Sequence, residues 1–344
     1  MHSSPRRAIH PQTPTDATRG GLDPITLVGM DPLLFLIETQ GFFTRAQARA
    51  LGWDDRAVTQ AMCAGAWMRF RRGYYTYPEI WSALDEVGRH RVRCRAVLHS
   101  LGDAVVLSHA SACIAHGIDL WGIDLTRVHV TRVDGGPGRI EGDVVHHEGF
   151  VADHEMVEVL GLKAVIPVRA AVEAASRATS EQALVIFDSL LAKALSDPGQ
   201  LMRQFQLMSH WPFVQHLHVP VRMADGRSKS VGESRGKWLF RCCSIPAPQL
   251  QYEVRDPGDG SLLGTTDWAW PELGALGEFD GKIKYGKLLK PGQDPGDVVF
   301  AEKQREELLC RVSGLPRMVR LIWVDLDRPR VTSARVRTTL AIAS

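Results

Sequence analysis

Three things are scarce in this 344-residue chain: paired cysteines, long apolar runs and net charge. The cysteines (Cys63, Cys94, Cys113, Cys242, Cys243 and Cys310) form no C-x-x-C motif and no dense framework. That argues against a disulfide-built scaffold and for a reducing cytoplasm, with the thiols packed as small hydrophobes. No apolar stretch approaches the roughly 18 residues of a membrane span, so no membrane partner is expected. The formal net charge of only +2 leaves no global basic field, and any nucleic-acid affinity must come from local patches. What remains is an ordinary globular composition, 44% hydrophobic and 23% charged, in a chain too long for one core. Two or three domains are expected.

Residues 1–30 are rich in Pro, Ser, Thr, Gly and Arg and lack an uninterrupted apolar region followed by a cleavage site. They read as a flexible tail. From Asp31 the pattern becomes regular. "DPLLFLIETQG" is a short helix closed by Gly41, and "FFTRAQARALG" a second, with Thr44 as N-cap and Gln47 at the capping-box position. "WDDRAVTQAMCAGAW" is a third, begun by Asp54 or Asp55, and "WMRFRRGYYTYP" alternates around Gly73 as a β-ribbon. Three helices and a basic hairpin over 31–80 describe a winged helix-turn-helix. With Val58, Ala61 and Met62 inward, Arg56, Thr59 and Gln60 project outward, all types that bond bases or phosphates. Arg69, Arg71 and Arg72 on the ribbon add a positive cluster for the DNA backbone. A solvated or protein-binding face is the competing reading, and Asp54 and Asp55 would repel phosphate unless they serve as caps.

Residues 81–225 read as a middle α/β domain. "SALDEVGRHRVRCRAVLHSLG" is helical, "AVVLSHASACIAHGI" a buried helix capped by Ser108, and "RVHVTRV" and "DVVHHEGF" strands about the turn-rich "DGGPGRIEG". One or two helices follow through "VIPVRAAVEAASRATSEQALVIFDSLLAKALSD", ended by Pro198-Gly199. His146, His147 and His154, with Glu148 and Glu155, suggest a transition-metal site, but the spacing lacks H-E-x-x-H and adjacent strand histidines point to opposite sides. Polar "MADGRSKSVGESRGKW" then separates off a mixed α/β region, 226–335.

The chemistry concentrates in "GEFDGKIKY". Glu278 and Asp280 share one face of a strand, and Asp267, near the end of the preceding strand, can join them. Three close carboxylates repel and raise one another's pKa, and a hard divalent cation such as Mg²⁺ relieves this. Lysines alongside suit a phosphodiester under attack. The alternative is a hairpin whose exposed face simply carries charge.

Over roughly 233–326 the chain resembles the restriction-endonuclease-like superfamily, in the branch of the very-short-patch-repair endonucleases. The resemblance rests on Glu233 in "GESRGKW", Asp267 in "TTDWAWPE", and Glu278 and Asp280 in "GEFDG". It implies a restriction-endonuclease-like C-terminal domain with Asp267 as chief Mg²⁺ ligand, Glu278 as a second and Glu233 as a supporting acid. The family's usual lysine position is Asp280 here, so Lys282 or Lys284 would supply the missing cation, or the fold persists without cleavage. Over roughly 31–180, "GFFTRAQARALGWDDRAVTQAMCAGAWMRFRRGYYTYP" with "VLSHASACIAHGIDLWG" resembles the AbiEi-like antitoxins of abortive-infection toxin–antitoxin systems. That implies promoter repression and a cognate toxin partner. The expectation is therefore an α+β multidomain DNA-binding protein with a Mg²⁺-dependent endonuclease-like domain, or alternatively a non-catalytic repressor.

Overall fold

The computed structural model describes residues 31–281, 304–305 and 307–342. The molecule is mixed α/β, with three separate sheets among the described residues.

The first is small. Helix α1 (Pro32–Gln40) begins at Asp31, whose carboxylate accepts the Leu33 N–H, and closes at Gly41 in the left-handed region. After β1 (Phe43–Thr44), Thr44 and Gln47 form a reciprocal capping box that starts α2 (Arg45–Ala50). Asp54 caps α3 (Asp55–Cys63). Strands β2 (Met68–Arg71) and β3 (Tyr74–Thr76) make the hairpin, and β1 adds to β3. Leu33, Ile37, Phe43, Ala48, Val58, Ala61, Trp67 and Tyr75 fill the space between helices and hairpin. A second cluster of Phe42, Tyr74, Trp81, Val92 and Ala96 joins the hairpin to α4 (Pro78–Ala83) and α5 (Glu86–Leu101).

The central sheet has six strands: β4 (Val105–Leu107), β5 (Val128–Arg132), β6 (Arg139–Glu141), β7 (Val144–His147), β8 (Met156–Val159) and β9 (Leu162–Val165). Their order is β6-β7-β5-β4-β9-β8, with β5 parallel to β7 and β4 parallel to β9. Helices α6 (His109–His116), α7 (Pro167–Ser176), α8 (Ser180–Ala192), α9 (Pro198–Leu207) and α10 (His218–Met223) accompany it. Several sequence expectations need correction here. "VVL" is a strand preceding α6, not part of a helix, and Ser108 makes no side-chain cap. Pro198 does not end a helix. It stands in the first turn of α9, capped by Asp197, where its missing N–H costs nothing.

In the third sheet β10 (Gln249–Arg255), β11 (Leu262–Trp270) and β12 (Ala275–Asp280) form an antiparallel meander, and β13 (Arg317–Ile322) lies parallel to β12. Parallel strands need a crossover, and helical residues 307–313 belong to it. Helices α11 (Val231–Cys242) and α13 (Pro329–Leu340), with the short α12 (Trp323–Leu326), bury Leu239, Phe240, Trp268, Trp270, Leu321 and Val336 on one face. Leu309 and Leu315 cover Val254, Ala269 and Leu276 on the other. The last helix runs to Leu340, past the expected boundary at 335.

The polar stretch 223–238, whose second half forms the start of α11, is not a free linker. Ser228, Glu233, Ser234, Arg235 and Lys237 are buried. Lys237 Nζ lies 2.9 Å from Asp188 on α8, and Arg235 reaches Glu181 at 2.7 Å and Asp327 at 2.9 Å while its guanidinium sits 3.8 Å from the Trp121 ring centroid. Helix α11 also approaches its own sheet closely. A Cβ at Gly236 would fall 2.5 Å from the fully buried Trp268 ring. Gly236→Ala should therefore cost about 1–3 kcal/mol as overpacking, seen as a lower urea midpoint. A loss under about 0.5 kcal/mol would mean that the ring moves aside freely.

Among the described residues no helix is long and apolar enough to cross a membrane.

Candidate functional site

The acidic site forms where β11 and β12 part. Their pairing is regular as far as Trp268 opposite Gly277. One residue further, the Asp267 carboxylate takes over from the ladder, its Oδ2 accepting the Phe279 N–H at 2.7 Å. Parity then places Asp267, Glu278 and Asp280 on the face that Ala269 and Leu276 share with Leu309, while Phe279 turns to the opposite core against Trp323.

Glu233 enters from the first turn of α11. Its Oε1 accepts from the Ser230 hydroxyl at 2.8 Å and its Oε2 from the Lys229 N–H at 3.0 Å. Gln251 links it to the strand. The Gln251 amide donates to Glu233 Oε2 at 3.1 Å and to Asp267 Oδ1 at 3.5 Å. Gln251 does this with φ of 50°, inside an otherwise extended strand. Such a backbone costs on the order of 1–3 kcal/mol in a non-glycine residue and is held where surroundings over-determine it.

Burial pushes the Asp267 carboxyl up to about 6, with the Glu233 charge adding to it and the Phe279 N–H, the Gln251 amide and Arg305 opposing. Glu278 faces cations instead: Arg305 Nη1 lies 3.3 Å from its Oε1 and Arg320 Nη2 3.8 Å from its Oε2. Arg305 also donates to the Thr265 carbonyl at 3.2 Å. The oxygens of Asp267, Glu278 and Asp280 are not drawn into one group with all ligand atoms within 4.8 Å. Lys282 and Lys284 lie outside the described residues.

Sequence reasoning missed Arg320. The signal for Arg320 is its position directly across from Glu278 in the parallel β12–β13 register, visible only once that pairing is known.

The second candidate surface is the helix–hairpin unit. Arg56, Thr59 and Gln60 are exposed on α3, and Arg69 and Arg72 are exposed on the hairpin. Arg71 differs. It is ion-paired with Asp143 in the turn between β6 and β7, and its side chain is only 15% exposed, so it ties the hairpin to the central sheet. The two aspartates at the start of α3 are both engaged: Asp54 accepts the Ala57 N–H at 2.7 Å, and Asp55 pairs with Arg45 at 3.0 Å.

This unit is where the chain matches a known family. A family model described as a transcriptional regulator, AbiEi antitoxin, matches residues 31–78, from α1 to the first residue of α4. No curated protein matches the chain.

Proposed function

We propose that the protein is a DNA-binding, antitoxin-like transcriptional regulator whose residues 31–80 dock as a winged helix-turn-helix. The observation that carries this is the coincidence of the family match with a helix–hairpin unit in which Arg56, Thr59 and Gln60 on α3 and Arg69 and Arg72 on the hairpin are all exposed. In such a unit the second helix of the pair enters the major groove and the wing meets the backbone. Arg56, Thr59 and Gln60 would read base edges and phosphates, and Arg69 and Arg72 would neutralise phosphates. A toxin encoded beside it would be the cognate protein partner.

Binding of the protein to duplex from its own upstream region, followed by fluorescence anisotropy over a salt series, tests this. The double change Arg69→Ala/Arg72→Ala should lower affinity and reduce the slope of log K against log salt by about 2, roughly one per lost phosphate contact. Arg71→Ala should change the slope less, because Arg71 is committed to Asp143. Unchanged affinity and slope in the double variant would remove the DNA reading of this face.

A second reading, Mg²⁺-dependent phosphodiester hydrolysis in a restriction-endonuclease-like C-terminal domain, is favoured by the parting of β11 and β12 at Asp267. The donors there are hard oxygens, which fit Mg²⁺. Asp267 and Glu278 would hold it, with Asp280 on the same face. The bound ion would supply Lewis acidity and an acidified water. Gln251 and Glu233 fix the Asp267 carboxylate, and Arg305 would counter charge developing on a phosphate beside Glu278. Incubation of plasmid and single-stranded DNA with Mg²⁺ or Mn²⁺ tests for cleavage directly.

A further inference from the structure

The central sheet assembles three imidazoles from three distant places in the chain. His109 opens α6, His129 lies on β5 and His147 ends β7. β5 and β7 are parallel neighbours with Thr131 opposite His147, so His129 and His147 project from the same face. His129 Nδ1 and His147 Nε2 are 2.9 Å apart. The His109 ring stacks on His147 with centroids 3.7 Å apart, and one ligand nitrogen from each of the three rings lies within 4.8 Å of the other two.

We infer that His109, His129 and His147 form a transition-metal site suited to Zn²⁺, with a fourth position left for water or a small ligand. Three imidazoles are a donor set that borderline metals favour over Mg²⁺ or Ca²⁺. Two nitrogens on one tetrahedral Zn²⁺ stand about 3.3 Å apart, given bonds of about 2.0–2.1 Å. The His129–His147 separation already approaches that, and rotation of the stacked His109 and His147 rings would bring the third nitrogen in.

Supporting groups are in place for His109. Its Nδ1 is 3.0 Å from the Ser108 hydroxyl and 3.6 Å from Glu173 Oε2, which leaves Nε2 to bind. Glu173 also accepts the His109 backbone N–H at 3.2 Å and is held by Arg169 at 2.8 Å. A carboxylate behind a ligating histidine orients the ring and raises its basicity. His109 adopts φ of 51°, a left-handed conformation that costs a non-glycine residue on the order of 1–3 kcal/mol.

The rings need lose no net proton to bind, but the proton between His129 Nδ1 and His147 Nε2 must pass to the other nitrogen of its ring. Burial is the main cause that holds all three below the usual imidazole range, with Arg177 adding its positive charge. Arg177, with Arg169 near His109 and Arg127 near His129, opposes a cation here, and Glu173 beside His109 and Asp124 near His129 answer it. His129 and His147 are half-buried, so the site is open on one side. His146 and His154, beside His147 and near it in sequence, take no part: His146 turns to the other face of β7.

Untagged full-length protein, stripped with chelator and titrated with Co²⁺, tests the site. The expected result is visible ligand-field bands saturating at one equivalent per chain and abolished by one equivalent of Zn²⁺. His129→Ala and His147→Ala should each weaken Co²⁺ binding by at least about 100-fold while leaving the far-ultraviolet circular dichroism unchanged. Absence of bands in the wild type, or full retention of binding in either variant, overturns the inference. Should the variants not fold, X-ray absorption of the Zn²⁺-loaded wild type decides. Three imidazole nitrogens in its shell support the site, and an oxygen-only shell, as at Asp267 and Glu278, overturns it.

Discussion

Asp188→Ala should destabilise the protein by about 3–5 kcal/mol, because it leaves Lys237 as an unpaired charge in a closed interface. Asp188 is fully buried on α8 and Lys237 is 7% exposed on α11. Lys237 Nζ lies 2.9 Å from the carboxylate and donates to the Met223 carbonyl at 3.1 Å, and the Asp225 N–H donates to Asp188 Oδ1 at 2.8 Å. Burial still raises the Asp188 carboxyl above its usual range, with Lys237 and its hydrogen bonds only opposing the shift. The pair is thus a specifying device more than a source of stability. The double change Asp188→Leu/Lys237→Met should recover most of the loss, since neither desolvated charge then remains. Urea unfolding of Asp188→Leu, Lys237→Met and the double closes the cycle. Singles costing under about 1 kcal/mol would mean that water reaches the pair and that the interface is not locked by it.

The lock also fixes Glu233, which α11 carries. Arg235, two residues before Lys237 on the same helix, ties it to Glu181 on the central unit and to Asp327 beside α13. The carboxylate that supports Asp267 through Gln251 is therefore positioned by contacts of its helix with α8, which lies about 50 residues earlier in the chain. DNA held by the first unit and chemistry at the third would share one framework.

What the sequence made legible was local. Thr44 and Gln47, three residues apart, state the start of α2 in full, and the Gly73 hairpin follows from alternation around a turn. The face relation of Glu278 and Asp280 needs only strand periodicity. The failures share a cause: the information lies in pairing across distance. β4 is three residues long and reads as helix because its neighbours do. β8 and β9 meet through Leu160 and Gly161, both with positive φ, a turn whose first residue is not a type that usually announces one. The histidine cluster requires β7 to skip past β6 and lie parallel to β5, and no spacing rule in one sequence contains that. Arg71, expected in the ribbon's basic cluster, is ion-paired with Asp143, seventy-two residues away, a link that no local pattern shows.

Asp267→Asn should make the protein more stable at neutral pH and, if the acidic site hydrolyses phosphodiesters, reduce Mg²⁺-dependent cleavage to background. The Asp267 carboxyl sits at about 6 against an ordinary 3.8, so the fold prefers it protonated. Between those values the unfolded chain is ionised while the folded one keeps its proton, and stability falls as pH rises. Above about pH 6 both are ionised and the penalty is constant. Two units correspond to about 3 kcal/mol, which partial exposure reduces to about 1–2 kcal/mol. The amide retains an acceptor for the Phe279 N–H and removes the charge that burial and Glu233 disfavour. Melting temperatures from pH 4.5 to 8 should therefore show a wild type that loses stability up to about pH 6 and a variant that loses less. Added Mg²⁺ should stabilise the wild type and not the variant, since binding to the folded state alone raises stability. A variant that melts no higher than the wild type at pH 7.5 would mean that Asp267 is well solvated. A wild type indifferent to Mg²⁺ would make Asp267 a structural acid that holds the parted ends of β11 and β12. The paired melts separate the stability cost of a half-buried carboxylate from any chemistry it performs.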